Sequence, residues 1–296
     1  MEPPLKPNES DCCNSGCNPC ILDVYEEQLK KYNRKHSLQE LYRNCLIPTA
    51  YTLFKVINIE KKYKDALLIT FEYVKAMNNN VGKSGELDII YKPGQFIMLK
   101  AGRENEEFQR PYTPIPINKQ KKLSFTVLIK LYEAGMMCRY IRNLKLGSET
   151  LWRGPYGDFT INYAFKNILF IAQGIGIAPF YSIISDIVNN ENCYTFLKLY
   201  FCCKNVDSIY LREELYELQT YWNFNYEIFL SDSENNSPKY NEIIHNTKLD
   251  YNIVKNHISD KIEGIQILIC GNEHFITHFK KVSLQCGIVE RNIFGF

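Results

Sequence analysis

The stretch RPYTPI, residues 110–115, holds a cation, an aromatic ring and a hydroxyl together with two prolines. The guanidinium of Arg110 offers a planar fork that fits phosphate oxygens, and the ring of Tyr112 offers a flat face for a second aromatic system. The prolines stiffen the backbone that carries these groups. The hexapeptide alone fits a recognition site and a strand edge with a surface arginine equally well, so the surrounding sequence has to decide between them.

Short runs rich in β-branched and aromatic residues flank this stretch. Their spacing, with turn residues between them, is typical of an antiparallel barrel or sandwich. The runs are YTLFKVINIE, DALLITFEYV, DIIYKPGQFIMLK, KLSFTVLIKLY and TLWRGPYGDFTI. A polar segment, residues 75–87, interrupts them and predicts a surface loop. The segment GMMCRYIRNLKLG, residues 135–147, predicts the one helix of this half.

Beyond residue 165 the pattern changes to apolar runs that alternate with helical segments. The runs are NILFIA, LKLYFCCK, YEIFLSD and GIQILICG. The helical segments are FYSIISDIVNN, DSIYLREELYELQTYW and NEHFITHFKKVSLQCG. Such alternation predicts a parallel sheet that is covered by helices on both faces.

The length of 296 residues favours two domains of about 150 residues each. We therefore predict an antiparallel β-barrel domain over residues 45–165, followed by an α/β domain with a parallel sheet over residues 166–296. A short cysteine-rich arm with a helix, residues 1–44, precedes them. In this arm the residues Ile21, Val24, Tyr25, Leu29 and Tyr32 recur at helical spacing.

Composition narrows the classes of function. The net charge is only +2, so no basic surface indicates a nucleic-acid partner. No apolar run approaches the about 18 residues that a membrane span needs, and the amino end carries no clear targeting signal. The 11 cysteines are odd in number and favour reduced thiols. We expect an intracellular protein, cytoplasmic or mitochondrial, with no integral membrane span.

The motifs around RPYTPI occur in a recognisable order. They are PGQFIML (93–99), IKLY (129–132), GMMCRY (135–140) and RGPYG (153–157). This ordered set resembles the flavin-binding half of the ferredoxin-reductase-like superfamily, most closely the NADH–cytochrome b5 reductase family. The resemblance extends over roughly residues 46–296. It implies an FAD-binding β-barrel domain and an NAD(P)H-binding α/β domain.

The resemblance also implies a set of FAD contacts. Arg110, followed by Pro111, would contact the pyrophosphate, Tyr112 would pack on the isoalloxazine, and Thr113 would lie at the reactive edge as a catalytic residue. Lys130 and Tyr132 match a Lys-x-Tyr pattern associated with flavin and dinucleotide contacts. The helix start would present backbone N–H groups to the pyrophosphate. This helix start comprises Gly135, Met136, Met137 and Cys138, the last in place of the family's Ser or Thr.

The stretch QGIGIAP, residues 173–179, lies between a predicted strand and a predicted helix. Gly174 and Gly176 would let the backbone approach a dinucleotide pyrophosphate, and Pro179 suits a first helical turn. The alternative is a tight turn without a ligand. The family pattern here is Gly-Gly-Thr-Gly-Ile-Thr-Pro, so this chain departs from it at Gln173, Ile175 and Ala178. Loss of the threonine at position 175 predicts slower hydride transfer or an altered cofactor pose.

The stretch CGNEHF, residues 270–275, matches a family Cys-Gly-Pro-Pro-x-Met. By resemblance Cys270 is a catalytic residue beside the nicotinamide, followed by Gly271; the alternative is a small buried core residue. We interpret His274 as a loop residue. Lys204 is a single cation after the second strand of this half, which favours NADH, with NADPH as the alternative. The aromatic Phe296 would lie near the flavin or fill the core.

Together these features predict a flavoprotein oxidoreductase. NADH would reduce FAD by hydride transfer, and single electrons would pass to a haem-protein acceptor such as cytochrome b5. The alternative function is a degenerate reductase fold that acts as a binding or assembly module with little turnover.

The arm contains DCCNSGCNPC, residues 11–20. It resembles the short cysteine-rich oxidoreductase-like module found at the amino end of some reductase-type proteins. Three interpretations stay open for Cys12, Cys13, Cys17 and Cys20: a zinc or iron–sulfur site, a loop without metal, and a thiol redox relay.

Overall fold

The computed structural model describes residues 44–74, 87–102, 107–117, 122–232, 237–259 and 264–296. In the arm it describes only Pro7, Tyr25, Glu26, Leu29 and Lys30, of which the last four are helical. The cysteine cluster at 12–20 lies outside the described residues. Within the described residues, no helix is both long enough and apolar enough to cross a membrane.

The first half of the chain forms one antiparallel sheet of seven strands, in the order β4-β3-β7-β1-β2-β6-β5. The strands are β1 (Thr52–Glu60), β2 (Ala66–Tyr73), β3 (Phe96–Ala101), β4 (Phe108–Tyr112), β5 (Pro114–Ile115), β6 (Ser124–Lys130) and β7 (Glu149–Tyr156). A short helix, α1 (Met136–Arg142), connects β6 to β7.

The two edge strands of this sheet are neighbours in the chain. Strand β4 lies at one edge and β5 at the other, yet only Thr113 separates them. The sheet therefore has to roll up until its edges meet, which gives the predicted barrel. Thr113 lies at the seam where the barrel closes.

Aromatic side chains fill the barrel. The ring of Phe125 packs against those of Phe54, Phe71 and Trp152 at centroid distances of 5.0, 5.5 and 5.1 Å. All four side chains are fully buried. Such packing arises because alternate residues of a strand face the same side of the sheet.

The second half forms a six-stranded sheet in the order β11-β10-β9-β8-β12-β13, and every pair in it is parallel. The strands are β8 (Asn167–Gln173), β9 (Phe196–Cys203), β10 (Phe224–Leu230), β11 (Ile243–His245), β12 (Ile265–Cys270) and β13 (Ile293–Gly295). The helices are α2 (Ile177–Val188), α3 (Arg212–Leu218), α4 (Tyr251–Ile258) and α5 (Glu273–Gln285).

Helices cover both faces of this parallel sheet. Side chains of α2 and α3 share a core with Phe170 and Leu199 on one face, whereas those of α4 and α5 share a core with Leu169 and Ile171 on the other. The apolar runs are continuous because each strand is buried on both sides. The predicted fold class, an antiparallel barrel followed by a parallel α/β sheet, is confirmed.

The helical segment at 207–222 is shorter than its pattern predicts. A 3₁₀ turn covers Val206–Ser208, and α3 begins only at Arg212, because Leu211 adopts a left-handed conformation with φ of 59°. Contacts with the barrel explain the break. The backbone N–H of Leu211 donates to the Tyr63 hydroxyl at 2.8 Å, and the Tyr210 hydroxyl donates to Asp65 at 2.8 Å.

The barrel and the α/β half share one hydrophobic core. Ile115, Ile117 and Leu128 of the barrel side are buried in the same cluster as Ile183 and Ile187 of α2. Since this cluster is continuous, the carboxyl edge of the parallel sheet is held against the closing seam of the barrel. The cleft between them is the candidate site.

Candidate functional site

A cavity of about 1240 Å³ lies between the barrel and the parallel sheet. On the sheet side it opens at the carboxyl ends of β8 and β12. The chain runs outward from β8 through β9, β10 and β11 and then returns to place β12 on the other side of β8. Open α/β sheets bind ligands at such a switch point.

The cavity brings together most of the residues predicted from the sequence. Gly135 and Met136 are the exceptions; they do not line it, and the Met136 side chain is exposed. The predicted residues that do line it are Arg110, Pro111, Tyr112, Thr113, Lys130, Tyr132, Met137, Cys138, Gly174, Gly176, Pro179, Cys270 and Gly271.

The barrel wall of the cavity presents Arg110, Tyr112 and Thr113. The Arg110 Nη1 donates to the Gln109 carbonyl oxygen at 2.8 Å, which orients an otherwise exposed guanidinium. The Tyr112 ring packs edge-on against Trp152 with centroids 5.9 Å apart. Burial raises the pKa of the Tyr112 phenol, so the ring stays neutral. This wall offers a cation, a neutral aromatic face and a hydroxyl at the seam.

Lys130 ends strand β6 beside the same wall. Its Nζ lies 3.3 Å from Asp65 Oδ2 and 5.7 Å from the centroids of the Tyr132 and Tyr210 rings. The ion pair and the two rings hold the ammonium group at the cavity edge. Lys130 is therefore positioned by both halves of the molecule.

Cys138 has a local partner. Its sulfur accepts a hydrogen bond from the Tyr132 backbone N–H at 3.3 Å and is almost completely buried. The thiol thus ties α1 to the end of β6. No side chain caps the start of α1, and of its first residues the structure brings Met137 and Cys138 to the cavity.

The glycine turn forms the opposite wall. Gly174–Gly176 is a 3₁₀ turn between β8 and α2, and Gly174 has a φ of +52°. A Cβ at position 176 would lie 2.6 Å from the Cys270 carbonyl oxygen, so only glycine lets the two loops touch. Pro179 is buried in the first turn of α2. The turn exposes backbone on the cavity side, which suits a bound phosphate group.

Cys270 ends β12 at the same wall. Burial raises the pKa of its thiol to about 12, so the group is neutral at physiological pH. The next loop is held by two hydrogen bonds. Gln173 Oε1 accepts from the Asn272 backbone N–H at 3.2 Å, and Asn272 Oδ1 accepts from the Phe275 N–H at 2.9 Å, which caps α5. His274 is exposed and does not line the cavity.

A polar end of the cavity lies beyond the ends of β9 and β10. Lys204 Nζ lies 3.9 Å from Asp232 Oδ2. The Ser208 Oγ accepts from the backbone N–H groups of Lys204 and Asn205 at 3.1 and 3.0 Å. Ser231 and Lys248 line the same end. This end offers hydroxyls and cations to a nucleotide.

Sequence reasoning missed several lining residues. They are Ser208, Ser231, Lys248, Phe275 and His278. One signal was present in the sequence: Asp250 precedes a helical segment and caps α4 by accepting from the Ile253 N–H. Residues beside a helix start at the carboxyl edge of a parallel sheet are candidates for binding an anionic ligand. Lys248 is such a residue.

Phe296 closes the bottom of the cavity. Its backbone N–H donates to the Ile269 carbonyl oxygen at 2.9 Å, and its ring packs on Phe159 and Phe180 at 5.0 and 5.4 Å. The ring lines the cavity and belongs to the shared core at the same time. Phe296 therefore packs against the core, as one expectation has it, and its proximity to a flavin stays a prediction.

The donor set of the cavity fits FAD and a nicotinamide dinucleotide. The barrel wall supplies an exposed arginine fork for phosphate and an aromatic face for a ring system. The sheet wall supplies a glycine turn, and a side chain at Gly176 would collide with the Cys270 backbone. In the part of the chain that the structure describes, no cluster of His, Cys, Asp and Glu could hold an ion, and the predicted site at Cys12, Cys13, Cys17 and Cys20 lies outside that part.

Comparison with known proteins agrees with this geometry. Residues 81–161 match the family of oxidoreductase FAD-binding domains, and residues 170–281 match that of oxidoreductase NAD-binding domains. Residues 1–40 match the amino-terminal segment of oxidoreductase-like proteins. The fold and the site thus define a two-domain flavin- and nicotinamide-binding oxidoreductase of the ferredoxin-reductase-like class.

Relatives refine this class. The NADH-cytochrome b5 reductase-like protein of Homo sapiens is 31% identical over 309 aligned residues, which cover 99% of this chain and 94% of that protein. Its Mus musculus counterpart is 29% identical over 99% of this chain and 95% of that protein. The cytochrome b5 reductase domain of Ulva prolifera nitrate reductase shares the fold, with a TM-score of 0.69 at 18% identity over 86% of this chain and all of that one. The chain belongs to the NADH–cytochrome b5 reductase family.

Proposed function

We propose that this protein oxidises NADH through bound FAD and delivers single electrons to a haem protein such as cytochrome b5. The observation that carries the proposal is the shared cavity. Arg110, Tyr112 and Thr113 reach it from the barrel, and Gly176 and Cys270 reach it from the sheet. A hydride donor and a hydride acceptor must meet in one such enclosed space.

Bound FAD would supply the redox chemistry, accepting two electrons from a reduced nicotinamide and releasing them singly. The protein supplies placement. The Arg110 guanidinium would hold phosphate oxygens, the neutral Tyr112 ring would offer a stacking face, and Thr113 would offer a hydroxyl at the seam. The close contact between the glycine turn and Cys270 forms the opposite side of the cavity.

Cys270 suits the side of a nicotinamide because it is small and uncharged. A thiolate there would hold the cationic ring of the oxidised nicotinamide and so slow its release. Since burial raises the pKa of this thiol to about 12, the thiol is neutral at physiological pH. Proton transfer by Cys270 is not required for a hydride step.

The polar end supports NADH over NADPH. Lys204 is the cation nearest to the end of β9, and Asp232 lies 3.9 Å from it. The carboxylate offsets the lysine charge and would repel a 2′-phosphate, whereas it accepts a hydrogen bond from a free ribose 2′-hydroxyl. A neutral ribose is therefore the better ligand.

The haem acceptor is supported by the names of the relatives, and turnover is supported by the retained cavity. A degenerate binding module would have no reason to keep Gly176 against Cys270 or an exposed arginine fork beside a cavity of this size. These features favour an enzyme over the alternative.

Anaerobic titration of the purified protein with NADH, followed by visible spectroscopy, tests the proposal. We expect bound flavin absorbance that bleaches with one equivalent of NADH, and turnover with ferricyanide and with cytochrome b5. Arg110→Ala should lose FAD affinity and turnover together. Arg291→Ala, an exposed arginine outside the cavity lining, serves as the control. Protein that never binds flavin would refute the proposal.

A further inference from the structure

Gln173 lines the cavity, but the proposed hydride transfer assigns it no role. It is the last residue of β8, directly before the glycine turn, and it lines the cavity together with Cys270, Gly271 and Asn272. It is also a departure from the glycine of the family pattern noted above. A five-atom polar side chain thus stands where the pattern has none.

The orientation of the Gln173 carboxamide follows from its partner. Its Oε1 lies 3.2 Å from the backbone nitrogen of Asn272. A backbone N–H is only a donor, so the oxygen and not the nitrogen of the carboxamide must face it. The assignment of oxygen and nitrogen is therefore fixed by chemistry and not by convention.

Packing fixes the stem of the side chain as well. A Cβ on Gly271 would lie 2.9 Å from Gln173 Cβ and 3.1 Å from Gln173 Oε1. Glycine at 271 is what allows Gln173 to lie flat against the Cys270 loop. The stem and the oxygen are both held, so the remaining NH₂ group has a defined position.

That NH₂ group has no partner in the described part of the chain. Among the hydrogen bonds of the described residues, the Gln173 side chain takes part only through Oε1. Two N–H donors therefore remain for a ligand, at the wall formed by the glycine turn and Cys270. The group of a dinucleotide that needs donors at this wall is the nicotinamide carboxamide, whose oxygen is an acceptor.

We propose that the Gln173 Nε2 donates a hydrogen bond to the carboxamide oxygen of the bound nicotinamide and so fixes the rotation of that ring. The inference rests on the proposed function, because it requires a nicotinamide in this cavity. The Gln173 side chain then makes two contacts: its oxygen accepts a hydrogen bond from the Cys270 loop, and its nitrogen donates one to the ligand.

Two variants separate these two contacts. Gln173→Glu keeps an oxygen acceptor for the Asn272 N–H and removes the donor, whereas Gln173→Met removes both. The FAD-bound protein is titrated calorimetrically with 1,4,5,6-tetrahydronicotinamide adenine dinucleotide, which carries the carboxamide on a neutral ring and cannot give a hydride. ADP-ribose, which lacks the nicotinamide, is titrated in parallel.

We expect both variants to bind the tetrahydro dinucleotide about tenfold more weakly, as the loss of one hydrogen bond predicts, and to bind ADP-ribose as the wild type does. Gln173→Met should also lower the melting temperature, whereas Gln173→Glu should not. With the thionicotinamide analogue of NAD, whose sulfur is a poor acceptor, Gln173→Met should weaken binding less than it weakens binding of NAD itself.

Two results would overturn the inference alone. One is unchanged affinity of Gln173→Glu for the tetrahydro dinucleotide; the other is an equal loss for ADP-ribose, which would reveal a purely structural role at the loop. A wild-type protein that binds neither ligand would overturn the proposed function, and the inference with it.

Discussion

The backbone of Gly176 touches that of Cys270: a Cβ at position 176 would lie 2.6 Å from the Cys270 carbonyl oxygen and 3.0 Å from the Cys270 sulfur. Gly176 ends the turn that follows β8, Cys270 ends β12, and these two strands are adjacent. Their contact brings the glycine turn and the Cys270 loop together into one wall of the cavity. The wall exists because position 176 has no side chain.

Gly176→Ala should therefore damage the site. The methyl group has to displace backbone atoms, at a cost of about 1–3 kcal/mol, and the two loops should separate. We expect a lower melting temperature and a higher KM for NADH. The matched control is Gly264→Ala, where the nearest atom to an added Cβ is 3.9 Å away. Equal behaviour of the two variants would show that the contact is dispensable.

Most of the strands and the glycine turn follow from the sequence because their causes are local, whereas the short strands β5, β11 and β13 were not predicted. Alternating or continuous apolar runs report burial on one or both faces of a sheet, and a Gly-x-Gly between a strand and a helix has few structural solutions. The predicted start of α3 was wrong because its cause is a contact with a distant part of the chain. Leu211 leaves the helix to donate to Tyr63, a residue 148 positions earlier, and no local pattern contains that information.

The contrast between local patterns and long-range contacts also explains which site residues could be predicted. Arg110 to Thr113 were identified because one short motif carries them. Lys248 and Ser231 were missed because they reach the cavity only through the order of strands in the sheet. The environment of Gln173 depends on Asn272, 99 positions later, and on the absence of a side chain at Gly271. The sequence showed that Gln173 replaces a glycine of the family pattern, but it did not show that Asn272 is its hydrogen-bond partner.

Coenzyme choice gives a second prediction. Asp232→Ser removes the carboxylate that lies 3.9 Å from Lys204 Nζ and leaves the cation free for a 2′-phosphate. We expect the ratio of kcat/KM for NADPH to that for NADH to rise about tenfold, roughly 1.4 kcal/mol. Asp207→Ser removes the same charge from another exposed residue, which forms no ion pair with Lys204 in the described part of the chain. If Asp207→Ser shifts the ratio as much, net charge and not the local pair sets the preference.

Cys270 gives a prediction about pH. Burial raises the pKa of its thiol to about 12 from an ordinary value of 9.0, so the reactive thiolate is scarce at neutral pH. Alkylation of Cys270 by iodoacetamide, followed by mass spectrometry of its peptide, should rise about tenfold per pH unit from pH 7 to pH 10 without a plateau. A plateau near pH 9 would mean that the thiol is solvated and that the neutral wall is absent.

The buried pair of Arg212 and Glu242 gives the last prediction. Glu242 accepts from Arg212 Nε at 2.9 Å, from the Tyr226 hydroxyl at 3.0 Å and from the Lys239 N–H at 2.9 Å. Burial alone would raise the pKa of the carboxyl, but these hydrogen bonds outweigh it and hold the pKa below the ordinary 4.5. The pair therefore stabilises the fold above pH 4.5, and the contribution is lost as the pH falls through the lower native pKa.

Glu242→Gln should accordingly lower the free energy of unfolding by about 3 kcal/mol at pH 7, because it leaves the Arg212 charge without its partner. In urea titrations the difference between wild type and variant should shrink as the pH falls below 4.5, where the wild-type carboxylate becomes protonated as well. Glu290→Gln, which breaks an exposed pair with Lys280, should leave stability unchanged at every pH, because solvent already screens that pair. A Glu242→Gln deficit that stays constant down to pH 3 would mean that packing, and not charge, holds α3 to the segment before β11.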